Sequence, residues 1–300
     1  MKRFYVNLCL LAVATLSLFS CNKDEDELNQ GEASSLSTCI PVSVSSSDGS
    51  VVDYIYEDGK LQQTSNSIPG NYPALVKFIY DGDRLVEKKI FSGVVLTSRE
   101  AFIYSNDVHT KTEYYYYVPK SALEEPSEDD QTVSRLKAFS QSRTSEDDEI
   151  VEVLVYVENL DRDSDGNVIK ITSINNFTEE LLQTVNYEYD ESMNVKKETL
   201  EDATGKLVVE YSFDDKFHPD VNLSFTAFIG VLNKNNIISS KRTVTNKADG
   251  QTSSNNFEYN ITYNENDFPE KIQNIVIIES AGESVKVPDL TSDYAYNCNK

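Results

Sequence analysis

One short unit recurs along the chain and constrains its fold more than any other feature. In each copy an aromatic residue closes a strand-like segment, acidic residues or glycine follow, and a second strand-like segment leads back. Three of the seven spacings between closing aromatic residues equal 24 residues, a length that fits two strands and two short turns. The spacings of 52 and 50 residues indicate one degenerate copy in each of those gaps. The closing residues are Tyr56, Tyr80, Tyr104, Tyr156, Tyr189, Phe213, Tyr263 and Tyr296.

The physical logic of the unit is clearest between residues 187 and 215. Tyr187 and Tyr189 lie on one face of a strand, because side chains alternate between the two faces. Asp190 then begins a turn. One unit cannot cover its own aromatic face, so neighbouring units must stack. We therefore expect an all-β fold: an elongated antiparallel β-meander of stacked hairpin repeats, in an open or partly curled sheet.

The first residues read as a processing signal. Lys2 and Arg3 precede an apolar run over residues 6–19, which is too short for a comfortable membrane span. The run leads into Leu-Phe-Ser before Cys21, which resembles a bacterial lipobox. We expect residues 1–20 to be removed as a lipoprotein signal peptide and Cys21 to be acylated. An ordinary secretory peptide, cut elsewhere, is the alternative.

Residues 21–37 are polar, acidic and rich in serine, and we expect a flexible tether there. The stretch Asn-Lys-Asp-Glu-Asp-Glu at 22–27 resembles the export tag of surface lipoproteins in the Bacteroidetes. The resemblance implies a lipid-anchored protein in the outer membrane that faces the exterior. A solvated acidic tether, as in any lipoprotein, is the alternative. We assign residues 38–300 to the β-repeat domain, with an acidic loop insertion at 119–149.

The charge balance limits the partners. The formal net charge of −23 argues against nucleic acid, since phosphate binding needs positive charge. The expected partners are the membrane, through the N-terminal anchor, and a glycan or an envelope protein.

Cys39 and Cys298 are left after processing, one near each end of the domain, and an exported compartment permits a disulfide between them. No motif fixes this pairing, so two free thiols stay open.

Two local motifs suggest binding sites. Asp161, Asp163 and Asp165 match the first oxygen positions of a calcium loop, but Thr172 stands where a bidentate glutamate is needed. An ordinary hairpin turn is the favoured interpretation, so we predict no metal site. The second motif is a run of four tyrosines that places two rings on each face of a strand, with core packing or an exposed sugar-binding face as its alternatives. It comprises Tyr114, Tyr115, Tyr116 and Tyr117.

Patterns typical of catalysis do not occur in the sequence. His109 and His218 have no ligand spacing around them, and no phosphate-binding or nucleophile-elbow motif is present. We expect no cofactor and no enzymatic activity. Fifty acidic residues leave a carboxylate pair of the glycosidase type as an open alternative.

A family resemblance covers residues 187–272. It rests on the Tyr-Glu-Tyr-Asp at 187–190, the Tyr-Ser-Phe-Asp-Asp-Lys-Phe-His-Pro at 211–219, the Lys-Asn-Asn-Ile at 234–237 and the segment 263–272. These residues resemble a family of Bacteroidetes lipoproteins that carry a domain of unknown function and are akin to YD-repeat sheets. The resemblance implies an open, meander-like β-sheet in the cell envelope, and no chemistry.

The function expected from the sequence is non-catalytic binding or display, at the cell surface, of a glycan, peptide or envelope partner. A carboxylate-dependent glycan hydrolase and a purely structural spacer are the alternatives.

Overall fold

The computed structural model describes residues 38–120, 149–223, 233–280 and 283–299. The expected signal peptide, the tether, the lipidation site Cys21 and residues 121–148 of the acidic insertion lie outside the described residues. No helix long and apolar enough to cross a membrane is found in the part of the chain that the structure describes.

Sixteen β-strands make up the described part of the chain. They are β1 Thr38–Ser46, β2 Val51–Glu57, β3 Lys60–Ser67, β4 Ala74–Asp81, β5 Arg84–Ser92, β6 Val95–Ser105, β7 Val108–Pro119, β8 Ile150–Arg162, β9 Val168–Asn175, β10 Leu181–Tyr189, β11 Val195–Asp202, β12 Gly205–Phe217, β13 Asn235–Asn246, β14 Thr252–Tyr263, β15 Pro269–Ser280 and β16 Glu283–Asn299.

The sheet closes into a barrel. Each strand pairs with its neighbours in sequence, and β1 pairs antiparallel with β16, from Thr38 opposite Asn299 to Ser46 opposite Ser292. The expectation of an all-β chain is confirmed, but the expectation of an open or partly curled sheet is wrong. Closure gives hydrogen-bond partners to the backbone groups of the first and last strands, which an open sheet would leave as exposed edges.

One hydrogen bond recurs between successive hairpins. A register shift directly precedes the closing tyrosine in three hairpins of the first half, at Tyr56, Tyr80 and Tyr104. In four hairpins the closing hydroxyl then donates to a backbone carbonyl of a preceding strand, so consecutive copies are bonded to each other. These bonds are Tyr56 to Pro41 at 2.8 Å, Tyr80 to Leu61 at 2.8 Å, Tyr104 to Leu85 at 2.7 Å and Tyr189 to Val168 at 2.8 Å.

The two wide gaps between closing residues contain no additional copies among the described residues. Each gap holds one pair of longer strands: β7 and β8 have 12 and 13 residues, and β13 and β14 have 12 each. The predicted degenerate copies are therefore not found among the described residues. Arg162, and not Tyr156, closes the β8–β9 hairpin, because the register shift precedes Arg162 and its guanidinium bonds the carbonyl oxygens of His109 and Gly166.

Most of the apolar core collects at one end of the barrel. We call it the aspartate end, because it carries the acidic turns that follow Tyr56, Tyr80, Tyr104 and Tyr189. Two clusters fill it, and the connection after β12 contributes Leu223 to the first. The clusters are Leu61, Phe78, Leu85, Phe102 and Leu223, and Val168, Val185, Tyr187 and Val195.

Candidate functional site

Cross-strand pairing shows which polar side chains face the interior. Residues paired directly across two strands share a face of the sheet. Phe78 is 5% exposed in the core and pairs with Lys88. Lys88 pairs with Glu100, and Glu100 pairs with Tyr114. Tyr114 pairs with Tyr156, and the two rings stack at 4.2 Å between centroids. One inward row therefore places a cation, a carboxylate and two stacked tyrosines side by side.

A second inward row carries another carboxylate. Glu158 lies between Thr112 and Ser173, which are 3% and 2% exposed. Its carboxylate accepts hydrogen bonds from the Tyr114 hydroxyl at 2.7 Å and the Ser173 hydroxyl at 3.2 Å. Burial raises the pKa of Glu158 above its ordinary value, the two hydrogen bonds oppose this rise, and the negative charge of Glu100 adds to it.

A third row continues around the wall. Tyr187 pairs with Glu198, Glu198 with Val209, and Val209 with Arg242. The Tyr211 hydroxyl donates to Glu198 at 3.4 Å, and burial raises the pKa of Glu198 against the effects of this bond and of Arg242. Together the rows form what we call the interior belt. The interior belt comprises Lys88, Glu100, Tyr114, Tyr156, Glu158, Tyr187, Glu198, Tyr211 and Arg242.

The interior belt is polar but internally compensated. Lys88 and Glu100 form an ion pair at 2.9 Å, and each side chain is 17% exposed. Charged groups this far from bulk solvent are tolerated where they are paired and hydrogen-bonded. The belt thus lines part of the barrel interior with tyrosine rings, carboxylates and cationic groups.

The outer wall is charged in the middle of its strands. Arg99 lies opposite Tyr115, with its guanidinium carbon 3.7 Å from the centre of the ring. The same guanidinium binds both carboxylate oxygens of Glu152, with Nη2 at 2.9 Å from Oε2. Lys197 and Glu188 pair at 2.7 Å further round. A basic residue on a lipid-facing barrel surface costs about 2 to 4 kcal/mol at mid-membrane, so lipid contact is unfavourable at Arg99 and Lys197.

The tyrosine run is divided between the two faces. Tyr114 faces the interior belt, and Tyr116 packs against a small core cluster of Val118 and Val155. Tyr115 and Tyr117 lie on the outer wall, where their hydroxyls donate to Glu113 and Glu152 respectively. The outer pair is therefore bound to charged neighbours, and its role as a sugar-binding face stays a prediction.

The three aspartates of the calcium motif lie in the β8–β9 hairpin. Asp163 accepts hydrogen bonds from the backbone N–H groups of Asp165 and Asn167, at 3.0 and 2.9 Å. Asp161 lies 3.9 Å from Lys170 instead. No group of three or more ligating side chains suited to a metal ion occurs among the described residues. The local geometry is that of a turn stabilised by the Asp163 carboxylate.

Cys39, Cys298 and His109 have structural roles in the barrel. Cys39 and Cys298 lie directly opposite each other on β1 and β16 and form a disulfide across the seam of the barrel.

His109 is 4% exposed, and its Nε2 lies 3.0 Å from the hydroxyl of Thr112. Burial lowers the pKa of His109 to about 4, so this imidazole is neutral at physiological pH.

Sequence reasoning missed the interior carboxylates, because the recurring unit indicates that acidic residues lie in the turns. A usable signal exists in β6. Glu100, Phe102 and Tyr104 alternate with other residues and therefore share the aromatic, inward face. An acidic residue in phase with the aromatic residues of a strand marks a buried carboxylate.

Comparisons with solved structures show the fold. A porin-like protein from Bacteroides uniformis matches 86% of this chain and 96% of its own, with a TM-score of 0.50 and 7% identity. A porin-like protein from Bacteroides vulgatus matches 86% and 99% at a TM-score of 0.47 and 11% identity. The TcdB2-TccC3 structure matches 80% of this chain and 13% of its own, at a TM-score of 0.30 and 10% identity. No family model and no curated protein matches this chain.

Proposed function

We propose that this chain is a lipid-anchored protein of the bacterial outer membrane, facing the exterior, whose barrel binds a glycan without cleaving it. The interior belt is the observation that carries the proposal. It combines stacked tyrosines with carboxylates and cations inside a closed wall, and such a wall excludes bulk water from a bound ligand.

The anchoring part of the proposal rests on the sequence before the barrel. The segment before Cys21 resembles a lipobox, which supports acylation of Cys21. Several acyl chains on one residue give stable attachment, since each buried methylene contributes about 0.8 kcal/mol. The charged outer wall around Arg99 supports a barrel that stands in water beside the membrane. The barrel fold that the chain shares with the Bacteroides uniformis protein is compatible with an envelope location.

A glycan is the ligand class that the belt favours. Tyrosine faces stack on the apolar faces of sugar rings, and carboxylates and guanidinium groups bond their hydroxyls. The carboxylates of Glu158 and Glu198 each accept a hydrogen bond from a tyrosine, which positions them for recognition. Nucleic acid is disfavoured by the net charge of −23.

A glycan array tests the proposal. The Cys21→Ala protein, purified without detergent, is expected to retain a defined set of glycans at micromolar concentration. Glu198→Gln, in the belt, should weaken binding of that set about tenfold or more. Glu201→Gln, three residues along β11 on the outer wall, should leave binding unchanged.

Two results would contradict the proposal. The first is an array without any retained glycan. The second is equal weakening by the two glutamine variants, since the outer residue has no route to the interior. Incubation of the bound glycan with the protein, followed by mass spectrometry, should return the glycan intact. Cleavage products would favour the hydrolase alternative.

A further inference from the structure

A second polar site lies at the aspartate end, apart from the interior belt. The connection after β12 runs back towards the barrel, where the Asn222 side-chain amide donates to the Cys39 carbonyl oxygen at 2.9 Å. Leu223 is 2% exposed in the first core cluster, against which Tyr54 and Tyr56 pack. These two contacts hold Asp220 beside the wall formed by β16, β1 and β2.

Aromatic rings line this part of the wall. Tyr294 pairs with Val44, and Val44 pairs with Val52, so Tyr294 shares an inward face with Tyr54 two residues further along β2. The rings of Tyr294 and Tyr296 stack with their centroids 6.3 Å apart. We call the group of Tyr54, Tyr56, Tyr294, Tyr296 and Asp220 the aromatic pocket.

The Asp220 carboxylate also affects the pKa values of these tyrosines. Burial raises the pKa of Tyr294 to about 12, and the negative charge of Asp220 adds to the rise. The pKa of Tyr54 is also raised, by burial first and by Asp220 next. The charge of Asp220 therefore acts on tyrosines of both β2 and β16.

The Tyr56 hydroxyl of the aromatic pocket is bonded to the Pro41 carbonyl oxygen, but two other polar groups of the pocket are less well satisfied among the described residues. The Asp220 side chain is 16% exposed, so water reaches it, yet neither lysine nor arginine pairs with it. The Tyr296 hydroxyl is buried with no hydrogen-bond partner. Buried polar groups are otherwise almost always satisfied, so each such atom points to a missing ligand or water.

His218 does not neutralise the carboxylate. Its Nδ1 accepts a hydrogen bond from the Asp220 backbone N–H at 3.2 Å, so Nδ1 carries no proton. Its 4.0 Å approach to the Asp220 carboxylate is therefore not an ion pair. Burial lowers the pKa of His218, which agrees with a neutral ring. Burial raises the pKa of the Asp220 carboxyl, so a cationic ligand beside it would favour the ionised form.

We propose that the aromatic pocket binds a small organic cation through an alkylammonium group. Ring faces carry negative electrostatic potential and attract ammonium groups, most strongly where several rings surround the cation. The Asp220 carboxylate supplies the opposite charge, and the acidic protein attracts cations over longer distances. An anion is repelled by the same groups, and a neutral apolar molecule leaves the carboxylate unpaired. The site does not depend on the glycan proposal.

Choline and its uncharged carbon isostere, 3,3-dimethylbutanol, test the proposal by calorimetric titration of the Cys21→Ala protein. Choline should bind at least about tenfold more tightly than the isostere. Asp220→Asn should weaken choline binding about tenfold, whereas Asp215→Asn, at an exposed position, should not change it. Tyr294→Phe, which keeps the ring, should retain binding, and Tyr294→Leu should weaken it several-fold.

Circular dichroism of each variant verifies folding, and the wild-type comparison of choline with its isostere holds even if a variant fails to fold. Equal affinities for the two probes would overturn the proposal. So would the absence of choline binding at millimolar concentration, or wild-type affinity in a folded Asp220→Asn variant.

Discussion

The hydroxyl of Tyr104 donates a 2.7 Å hydrogen bond to the carbonyl oxygen of Leu85, which lies 19 residues earlier in the chain and is completely buried. The same relationship joins Tyr80 to Leu61 at the same separation of 19 residues. A ring that packs in the core and a hydroxyl that bonds the preceding hairpin together fix each hairpin to the last. This contact explains why the closing position so often carries tyrosine.

Removing this hydroxyl should weaken the barrel. Tyr104→Phe keeps the ring and leaves the buried Leu85 carbonyl without its partner, so we expect the free energy of unfolding to fall by about 1 kcal/mol. Urea denaturation monitored by circular dichroism measures the change. Tyr72→Phe is the matched control, because Tyr72 is 72% exposed. Equal effects of the two substitutions would show that the interhairpin bond contributes nothing.

The disulfide at the seam should contribute to stability through the unfolded chain. Cys39 and Cys298 are 259 residues apart, so their bond restricts a very long loop. Replacing both with serine should lower the free energy of unfolding by about 2 to 5 kcal/mol. Denaturation of the wild type with and without reductant should show a similar difference. A barrel equally stable in both forms would contradict the expectation.

The pKa values of interior and outer carboxyl groups should be shifted in opposite directions. Burial raises the pKa of Glu158, whereas the hydrogen bond from Lys197 lowers the pKa of Glu188 on the outer wall. Carbon-13 NMR of the side-chain carboxyl groups should place Glu158 above the ordinary value of 4.5 and Glu188 below it. Equal pKa values for the two groups would contradict the assignment of Glu158 to the interior and of Glu188 to the outer wall.

The raised pKa of Glu158 determines how its contribution to the free energy of unfolding changes with pH. The folded protein holds the proton at pH values where the unfolded chain has lost it. The contribution of Glu158 is therefore complete below pH 4.5 and is lost as the pH rises through the folded pKa. Glu158→Gln removes this dependence, so the free energy of unfolding of the variant should improve relative to wild type from pH 4.5 upward.

The anchor can be tested by fractionation. Cys21→Ala should move the protein from the membrane fraction to the soluble fraction, because the charged outer wall needs no lipid or detergent. Size-exclusion chromatography in plain buffer should then show a single dispersed species. A variant that stays in the membrane fraction would contradict both the lipobox interpretation and a water-facing wall.

The recurring aromatic unit was enough to predict an all-β meander. Strand alternation and acidic turns are local properties, and both are visible in the residues around Tyr189. Closure is different, because it depends on pairing between the first and last strands, which no local pattern encodes. The possible bond between Cys39 and Cys298 was the one sequence feature that joined the two ends.

The candidate sites were harder to predict than the fold. Glu158 and Asp220 are two of fifty acidic residues, and their distinction is burial, which arises only when distant strands meet. Asp220 also follows a strand end, where an acidic residue normally indicates a solvated turn. The position of its connection against β1 and β2 is a tertiary property.

The central claim is that the ligand binds inside the barrel, and one pair of substitutions tests it most directly. Asn255 shares the inward face with Arg242, and Ser254 is its outward neighbour. For the glycan retained on the array, calorimetry should show at least about a tenfold loss of affinity for Asn255→Trp, whose bulk enters the interior, and no loss for Ser254→Trp. Unchanged affinity in a folded Asn255→Trp protein, or equal loss in both variants, would contradict the claim.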